Sequence, residues 1–324
     1  MASSRSWKPG PTLEGPFPAD VDDIAGLNQV FSDAFTERYR RDGMVGVRVP
    51  FLNPTVWRYA IEDAAGGALC WRSGNGEIAA FNMVHRSGVE GWMGPLAVRQ
   101  DLQGSGVGKE VVRRGVEWLA DAGATVIGLE TMPRTLDNVG FYSSLGFIPG
   151  RLTLTTTLEA EHTARAPTLY GRLSSSEKEA VLEECRALLD ALLPGYDHTR
   201  EIVLTDELAL GDTVLMRDGG ALVAFALCHT IPLVEGRLRE ELRVLKLALA
   251  DQKYFEPMAA TLRDFARRSG TRRVAIRMQT DYAAAYQQLI GLGGRVRWSD
   301  LRMSLAGHEE RMPARGLVLS NWEI

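Results

Sequence analysis

The first half of the chain alternates between helical and strand-like hydrophobic spacing. Residues 20–40 carry apolar side chains at positions 24, 27, 30, 31, 34 and 35, a spacing that predicts an amphipathic helix. Residues 67–73 and 77–86 are strand-like and flank Gly74-Asn75-Gly76, a hairpin signal. Strand-like patterns predict three further strands, at 91–98, 125–131 and 151–159. Helical spacing predicts two further helices, at 111–121 and 136–146.

A similar order of elements begins again after a polar stretch at 161–176. Residues 177–193 have helical spacing, and 212–230 form a predicted hairpin with Gly219-Gly220 at its turn. The elements that follow are predicted strands at 242–250, 272–278 and 295–305 and predicted helices at 256–268 and 281–291. Together the two series predict an α+β fold, a mixed and mostly antiparallel sheet flanked by helices.

The two series are an internal repeat that can be checked residue by residue. Ala80-Phe81 with His85 matches Ala224-Phe225 with His229, and Leu96-Ala97-Val98 matches Leu247-Ala248-Leu249. We therefore predict a domain at 1–160, a linker at 161–176 and a second domain at 177–324. Gly123 matches Gly270, and the stretch from Leu247 to Gly270 is four residues shorter than the stretch from Leu96 to Gly123. The missing residues fall where the first domain has a glycine-rich loop.

Composition narrows the class of protein. The 324 residues suffice for two ordinary domains, and a net charge of −4 gives no general reason to expect nucleic acid or an anionic membrane as a partner. Three widely spaced cysteines argue against a disulfide framework, and none has a zinc-ligand neighbour. Without an apolar signal or membrane-spanning stretch, we expect a cytoplasmic protein with an irregular arm at positions 1–20. Residues 315–324 are predicted to form a strand.

Residues 103–110, Gln-Gly-Ser-Gly-Val-Gly-Lys-Glu, lie between a predicted strand and a predicted helix, where backbone N–H groups bind phosphate. A nucleotide P-loop is disfavoured because Gln103 stands where Gly is needed and Glu110 where Ser or Thr is needed. A dinucleotide-binding loop is disfavoured because Lys109 stands where its third Gly is needed.

A third pattern fits the whole loop. Gln103-x-x-Gly106-x-Gly108 resembles the pyrophosphate loop of the GCN5-related N-acetyltransferase (GNAT) family, and Phe141-Tyr142-x-x-Leu145-Gly146-Phe147 resembles a later segment of that family. The resemblance implies two tandem GNAT folds, the second lacking the loop, with acetyl-CoA as co-substrate and no metal. It assigns contacts with acetyl-CoA to the following residues: Leu96, Ala97, Val98, Gln103, Gly104, Ser105, Gly106, Val107, Gly108, Lys109 and Asn138. Asn138 is equally interpretable as a polar residue at a helix start.

The resemblance also implies catalytic roles. Tyr142 corresponds to the general acid that protonates the leaving sulfur, although a tyrosine there could also simply pack in the core. The backbone near Ala97 and Val98, beside the strand interruption at Gly94-Pro95, would donate to the acyl oxygen. Glu130 is a candidate general base, with a solvated strand carboxylate as the alternative. Glu90 and His85 are further candidates for the base.

The predicted function is therefore transfer of an acetyl group from acetyl-CoA to a primary amine of a small molecule or peptide. The alternative is a non-catalytic sensor that binds acyl-CoA and reports its level to a partner. We expect the second domain to cover the first sheet and to help form the acceptor pocket. The identity of the acceptor and the oligomeric state are left open.

Overall fold

The computed structural model describes residues 13–163 and 166–322. The helices in these ranges are α1 (Ile24–Arg41), α2 (Pro54–Ala64), α3 (Val107–Asp121), α4 (Leu136–Ser143), α5 (Ser175–Leu192), α6 (Thr199–Glu207), α7 (Phe255–Arg268) and α8 (Ala283–Gly291). The strands are β1 (Leu13–Pro18), β2 (Ala68–Ser73), β3 (Ile78–Ser87), β4 (Glu90–Val98), β5 (Val126–Thr131), β6 (Phe147–Glu159), β7 (Thr168–Leu169), β8 (Gly211–Asp218), β9 (Ala221–His229), β10 (Glu241–Leu249), β11 (Arg273–Gln279), β12 (Arg295–Leu305) and β13 (Leu317–Ser320).

The strands form one continuous sheet in the order β1-β2-β3-β4-β5-β12-β6-β11-β10-β9-β8-β7, and β13 pairs with β10 outside this path. The pairs β4–β5 and β10–β11 are parallel. Their neighbours along the sheet, such as β3–β4, β5–β12 and β6–β11, are antiparallel. The predicted class, a mixed and mostly antiparallel sheet with flanking helices, is confirmed.

The last strands of the two halves are exchanged across the middle of the sheet. Strand β12, from the second half, pairs with β5 of the first half at Leu301↔Thr131. Strand β6, from the first half, pairs with β11 of the second half at Thr156↔Ile276. The predicted linker at 161–176 therefore separates the halves along the chain, while the strand pairing crosses between them.

The internal repeat is visible in the elements. Strand β5 starts at Val126 and its counterpart β11 at Arg273. Helix α4 starts at Leu136 and its counterpart α8 starts at Ala283, the same number of residues further along the chain. β4 and β10 end at the matched positions Val98 and Leu249. The halves differ just beyond these positions. Residues 99–106 connect β4 to α3, whereas the shorter segment 250–254 connects β10 to α7.

The two halves also share a hydrophobic core on one face of the sheet. That core joins Leu27, Trp57 and Phe81 of the first half to Leu189 and Phe225 of the second. The opposite faces have separate cores, one beneath α3 and one beneath α7. Burial of this shared apolar surface stabilises the two halves as one body, because hydrophobic stabilisation scales with the apolar area removed from water.

Four segments differ from the sequence-based expectations. The expected irregular arm at 1–20 is wrong for Leu13–Pro18, which pairs with β2 at the sheet edge, and residues 1–12 lie outside the described residues. Within the expected linker, Thr168–Leu169 pairs with β8. Helix α2 was not predicted, although Asn53 accepts a hydrogen bond from the Thr55 N–H and Pro54 follows it, a standard helix start. Helix α6 was not predicted either.

A chain ending at residue 170 should not fold as a soluble monomer. It would leave β5 without β12 and would expose the first half's share of the common core, and an unpaired strand edge promotes association between chains. We expect the fragment to elute as aggregates on size-exclusion chromatography. The full chain is the control. A monomeric fragment with a cooperative unfolding transition would contradict this expectation.

Candidate functional site

The glycine-rich loop lies between the end of β4 and the first turn of α3. Gly104 has φ 78° and Gly106 has φ 97°, and a Cβ added at either would meet no atom within 4 Å. The glycines are therefore required by backbone conformation and not by lack of space. Gly106 is also the residue that caps α3. The first N–H groups of this helix have no intrahelical acceptor and carry partial positive charge, so the loop is suited to bind an anion.

The side chains of the loop stabilise its shape. The Gln103 amide donates to the Val98 carbonyl at 3.1 Å, and the Ser105 hydroxyl donates to the Leu102 carbonyl at 2.5 Å. Gly108 lies where a Cβ would come within 3.4 Å of the Phe141 ring, so α3 and α4 approach closely at this point. Lys109 is exposed and adds a positive charge beside the loop.

Strands β4 and β5 separate before β4 reaches the loop. Their parallel pairs run from Glu90↔Val126 to Met93↔Leu129 and end there. On its other edge β4 stays paired with β3 as far as Val98, with an irregularity in register between Met93 and Leu96. The edge of β4 over Leu96–Val98 therefore faces a gap between β4 and β5, as the Gly94-Pro95 interruption predicts.

The direction of the backbone groups along this edge follows from the ladder. The Arg99 N–H donates to the Ala79 carbonyl at 2.9 Å. Because bonded and non-bonded pairs alternate in an antiparallel ladder, the Ala97 N–H points towards β3 and the Val98 and Leu96 N–H groups point into the gap. Of the two residues named from the sequence, Val98 is thus the one whose N–H points into the gap.

Tyr142 lies on α4 and is buried, with its ring 5.1 Å from that of Phe141 and 6.1 Å from that of Phe147. Burial raises the pKa of its phenol above the ordinary value. At the spacing that relates α4 to α8, its counterpart is Leu289, which is also buried. A buried leucine thus serves the same position in the second half, so packing there does not require a hydroxyl group.

Asn138 lies on the same helix, and its amide is 3.4 Å from the Thr131 hydroxyl at the end of β5. Its counterpart in α8 is Ala285. The contact holds Asn138 beside the carboxyl end of β5, next to the gap between the strands. This position is compatible with both interpretations left open by the sequence.

Glu130 lies in a buried ion-pair cluster at the middle of the sheet. Its carboxylate contacts the Arg277 guanidinium at 2.6 Å, accepts from the Thr153 hydroxyl at 2.5 Å and lies 3.7 Å from Arg302. Burial opposes its ionisation, but the two arginines outweigh this effect and lower the pKa of Glu130. A carboxylate held in this way is a poor proton acceptor. The Glu130 side chain is 2% exposed, so Glu130 is not a solvated strand carboxylate, which was the alternative interpretation from the sequence.

The other two base candidates also have structural partners. Glu90 is buried and accepts from the Trp322 indole at 2.8 Å and from the Ser320 hydroxyl at 2.6 Å. His85 is buried, lies 2.7 Å from the Asp63 carboxylate and stacks on Trp92 with ring centroids 4.0 Å apart. Each residue thus connects segments of the fold.

A rim of side chains from both halves surrounds the carboxyl end of β5. The rings of Tyr39 and Trp298 are 6.4 Å apart, and the Arg134 guanidinium lies 5.6 Å from the Trp298 ring. The Thr135 hydroxyl donates to Asp42 at 2.6 Å and joins the start of α4 to the end of α1. The role of Trp298 was not predictable from the sequence, because its position opposite Thr155 of β6 depends on pairing between strands of different halves.

Two negative findings concern residues 13–163 and 166–322 only. None of the helices there is long and apolar enough to cross a bilayer. Nor do these residues contain a group of three or more His, Cys, Asp or Glu side chains arranged to hold a metal ion.

Comparison with known proteins relates part of the first half of the chain to a family. Residues 28–147 match the profile of the acetyltransferase (GNAT) family. This segment contains most of α1, all of α2, α3 and α4, the glycine-rich loop and the gap between β4 and β5. The first half of the chain thus contains a segment that matches the GNAT family, and the whole chain has the two-unit fold of a tandem GNAT protein. The sequence has no match among curated proteins.

Solved structures resemble the chain over nearly its whole length. A candidate acetyltransferase from Pyrococcus horikoshii has a TM-score of 0.65 at 16% identity, covering 99% of this chain and 98% of that one. A tandem GNAT protein from the clavulanic acid biosynthesis pathway has a TM-score of 0.59 at 12% identity, with coverage of 90% and 98%. Saccharomyces cerevisiae N-myristoyltransferase with bound myristoyl-CoA has a TM-score of 0.62 at 10% identity, with coverage of 96% and 86%. These TM-scores show a common fold, and at such low identity they show the fold alone.

We expect replacement of Glu130 to lower the free energy of unfolding, because the residue has a structural role. Glu130→Gln removes the carboxylate that Arg277 and Arg302 share in a buried site, whereas Asp300 remains 3.0 Å from Arg277 and Glu310 remains 3.4 Å from Arg302. We therefore expect a cost of about 1–3 kcal/mol. Glu110→Gln removes a surface pair with Arg114 and should cost less than about 1 kcal/mol. Urea unfolding of the two variants measures the difference. Equal stabilities for both variants would refute a structural role for Glu130.

The same cluster should make stability depend on pH. Because the pKa of Glu130 is lower in the folded protein than its ordinary value of 4.5, its ionised form stabilises the fold fully above pH 4.5. That contribution is lost as the pH falls from 4.5 towards the lower folded-state pKa. Glu130→Gln should therefore show a smaller loss of unfolding free energy than wild type over this acidic range.

Proposed function

We propose that the first unit is an acyl-CoA-dependent N-acyltransferase that transfers an acetyl group from acetyl-CoA to a primary amine. The observation that carries the proposal is the arrangement at the end of β4, where the open edge Leu96–Val98 leads directly to the glycine-rich loop and α3. A long ligand with an anionic end and a hydrogen-bonding arm fits both features. The loop N–H groups would hold the pyrophosphate, and the β4 edge would pair with the pantetheine amides.

The proposed reaction is direct attack of the amine on the thioester carbonyl. The amine nitrogen forms the new C–N bond, the C–S bond breaks, and the amine loses one proton. The Leu96 N–H, which points into the gap and lies further from the loop than the Val98 N–H, would stabilise the negative charge that develops on the acyl oxygen. Tyr142 would donate its phenolic proton to the leaving sulfur and regain a proton from solvent. The raised pKa of the buried phenol keeps that proton on Tyr142 before the reaction.

We assign no general base. Glu130, Glu90 and His85 each have buried structural partners, and an amine can lose its proton to solvent before it binds. The acceptor is proposed to be a small molecule or peptide amine that enters at the rim formed by Tyr39, Arg134 and Trp298. Because Trp298 lies on β12, the second unit would contribute directly to acceptor binding.

The length of the acyl group is not determined by the fold alone. N-myristoyltransferase has the same fold over most of its chain and is described with myristoyl-CoA bound. Acetyl-CoA is thus a proposal for this protein that depends on its own side chains. The alternative function, a non-catalytic acyl-CoA sensor, would use the same loop but would not need the hydroxyl of Tyr142.

Substitution of Gly106 should prevent binding of CoA. Gly106→Val places a β-branched residue at φ 97°, at a cost of about 1–3 kcal/mol of strain, and it blocks close approach of the pyrophosphate. We expect at least about tenfold weaker binding of acetyl-CoA, measured by isothermal titration calorimetry. Gly123→Val is the matched control, because Gly123 also has positive φ and open space but lies at the other end of α3.

The titration also counts sites. Wild type should bind one acetyl-CoA per chain, because the segment joining β10 to α7 is shorter and lacks glycine. Failure of wild type to bind either acetyl-CoA or free CoA would exclude both the acyltransferase and the sensor. Equal weakening in Gly106→Val and Gly123→Val would remove the assignment of the loop.

Tyr142→Phe tests the choice between enzyme and sensor. The phenylalanine keeps the packing against Phe141 and Phe147 and removes only the proton donor. We expect kcat to fall about 10²-fold or more with little change in acetyl-CoA affinity, measured in an amine screen by release of free CoA thiol. Tyr286→Phe, in α8, is the control. Unchanged kcat would mean that Tyr142 is not the acid, and absence of turnover in wild type with every amine would favour the sensor.

A further inference from the structure

The second unit has a gap corresponding to that in the first unit, but the chain fills it. Parallel pairing of β10 with β11 ends at Val244↔Ile276. Beyond this point β13 pairs with the freed edge of β10, from Lys246↔Ser320 to Leu249↔Leu317. Since Leu247–Leu249 correspond to Leu96–Val98, β13 lies where the first unit leaves its strand edge open.

Strand β13 is an integral part of the fold. Leu317 and Leu319 are buried in the core beneath α7, and the Tyr282 hydroxyl donates to the Val318 carbonyl at 2.9 Å. The Asn321 N–H donates to the Leu245 carbonyl at 2.9 Å and continues the pairing by one residue. The position of the residue that follows, Trp322, is therefore set by a firmly held strand.

Trp322 lies at the closed end of the gap in the first unit. A Cβ added to Gly128 of β5 would be 2.2 Å from the Trp322 ring, and a Cβ added to Gly94 of β4 would be 3.8 Å from the Trp322 carbonyl oxygen. Trp322 thus reaches from β5 to β4 beside Met93↔Leu129, the last pair before the strands separate.

Several contacts fix the indole in this position. Its N–H donates to Glu90 at 2.8 Å, and the Arg302 guanidinium lies 3.6 Å from the centre of its ring. The Ser320 hydroxyl donates to the second oxygen of Glu90 and accepts from the Lys246 ammonium at 2.8 Å. Trp322 is 1% exposed. Through these contacts the Glu90 carboxylate connects the tail of the second unit to β4, one of the two strands that border the gap.

We infer that Trp322 is a specificity-determining residue that limits the acyl group to a short chain such as acetyl. The inference rests on the proposed function. With the pyrophosphate at the loop and the pantetheine arm along Val98 and Leu96, the thioester lies near Leu96 and the acyl carbons point towards Gly94. A short acyl chain ends before Trp322, whereas a longer chain meets the ring and its rigid supports.

The test compares the affinities of acetyl-CoA and octanoyl-CoA for wild type, Trp322→Phe and Trp322→Ala by isothermal titration calorimetry. For each protein the measured quantity is the ratio of the two dissociation constants, which does not depend on the fraction of folded protein or on the acceptor. We expect the ratio to shift towards octanoyl-CoA by about 10–100-fold in Trp322→Ala. The shift should be smaller in Trp322→Phe, which keeps most of the ring volume.

Trp298→Ala is the matched control, because it removes an indole from the rim and not from the end of the gap. An unchanged ratio in both Trp322 variants, or an equal shift in Trp298→Ala, would overturn the inference while leaving the proposed function intact. A wild type that binds neither acyl-CoA would instead overturn the proposed function. If Trp322→Ala does not fold, as judged by circular dichroism, Trp322→Phe and Trp322→Leu provide the same comparison.

Discussion

The structure depends on the exchange of β6 and β12 between its two units. Strand β5 meets β4 on one side only, and its other edge is closed by β12 from the far half of the chain. An edge strand left open in the middle of such a sheet would be a site for aggregation. The exchange removes that edge, brings Trp298 to the rim of the first unit and makes the core shared by α1, α2, α5 and α6 continuous.

The centre of the exchange shows how the repeated halves have diverged. Glu130 and Arg277 occupy the same position in the repeat and contact each other across the sheet at 2.6 Å. Two identical charges there would repel each other in a buried site, whereas an acid and a base attract. Since a buried ion pair is weak evidence for added stability, we interpret it as a device that favours pairing between unlike halves. Thr153 and Arg302 complete the polar contacts around Glu130.

Local sequence patterns predicted those parts of the site that depend on neighbouring residues. The glycine-rich loop, β4 with its Gly94-Pro95 interruption, and helices α3 and α4 all follow from spacing within about 15 residues. The partners of Glu130 were not predictable, because Arg277 lies in the other half of the chain and no periodicity records which strand becomes its neighbour. Helix α2 was missed because only Asn53-Pro54 marks its start. The position of Trp322 depends on the pairing of β13 with β10. The sequence predicted a strand at 315–324 but not its partner.

The pairing of β5 with β12 also has a consequence for how the protein is made. Thr131 and Leu301 lie opposite each other in the sheet, although more than half of the chain separates them in sequence. The glycine-rich loop leaves the ribosome well before β12, the strand that closes its sheet, because β6 to β11 lie between them in the chain. The nascent first unit must therefore wait with an open edge until β12 has been made, and contacts of such long range form slowly.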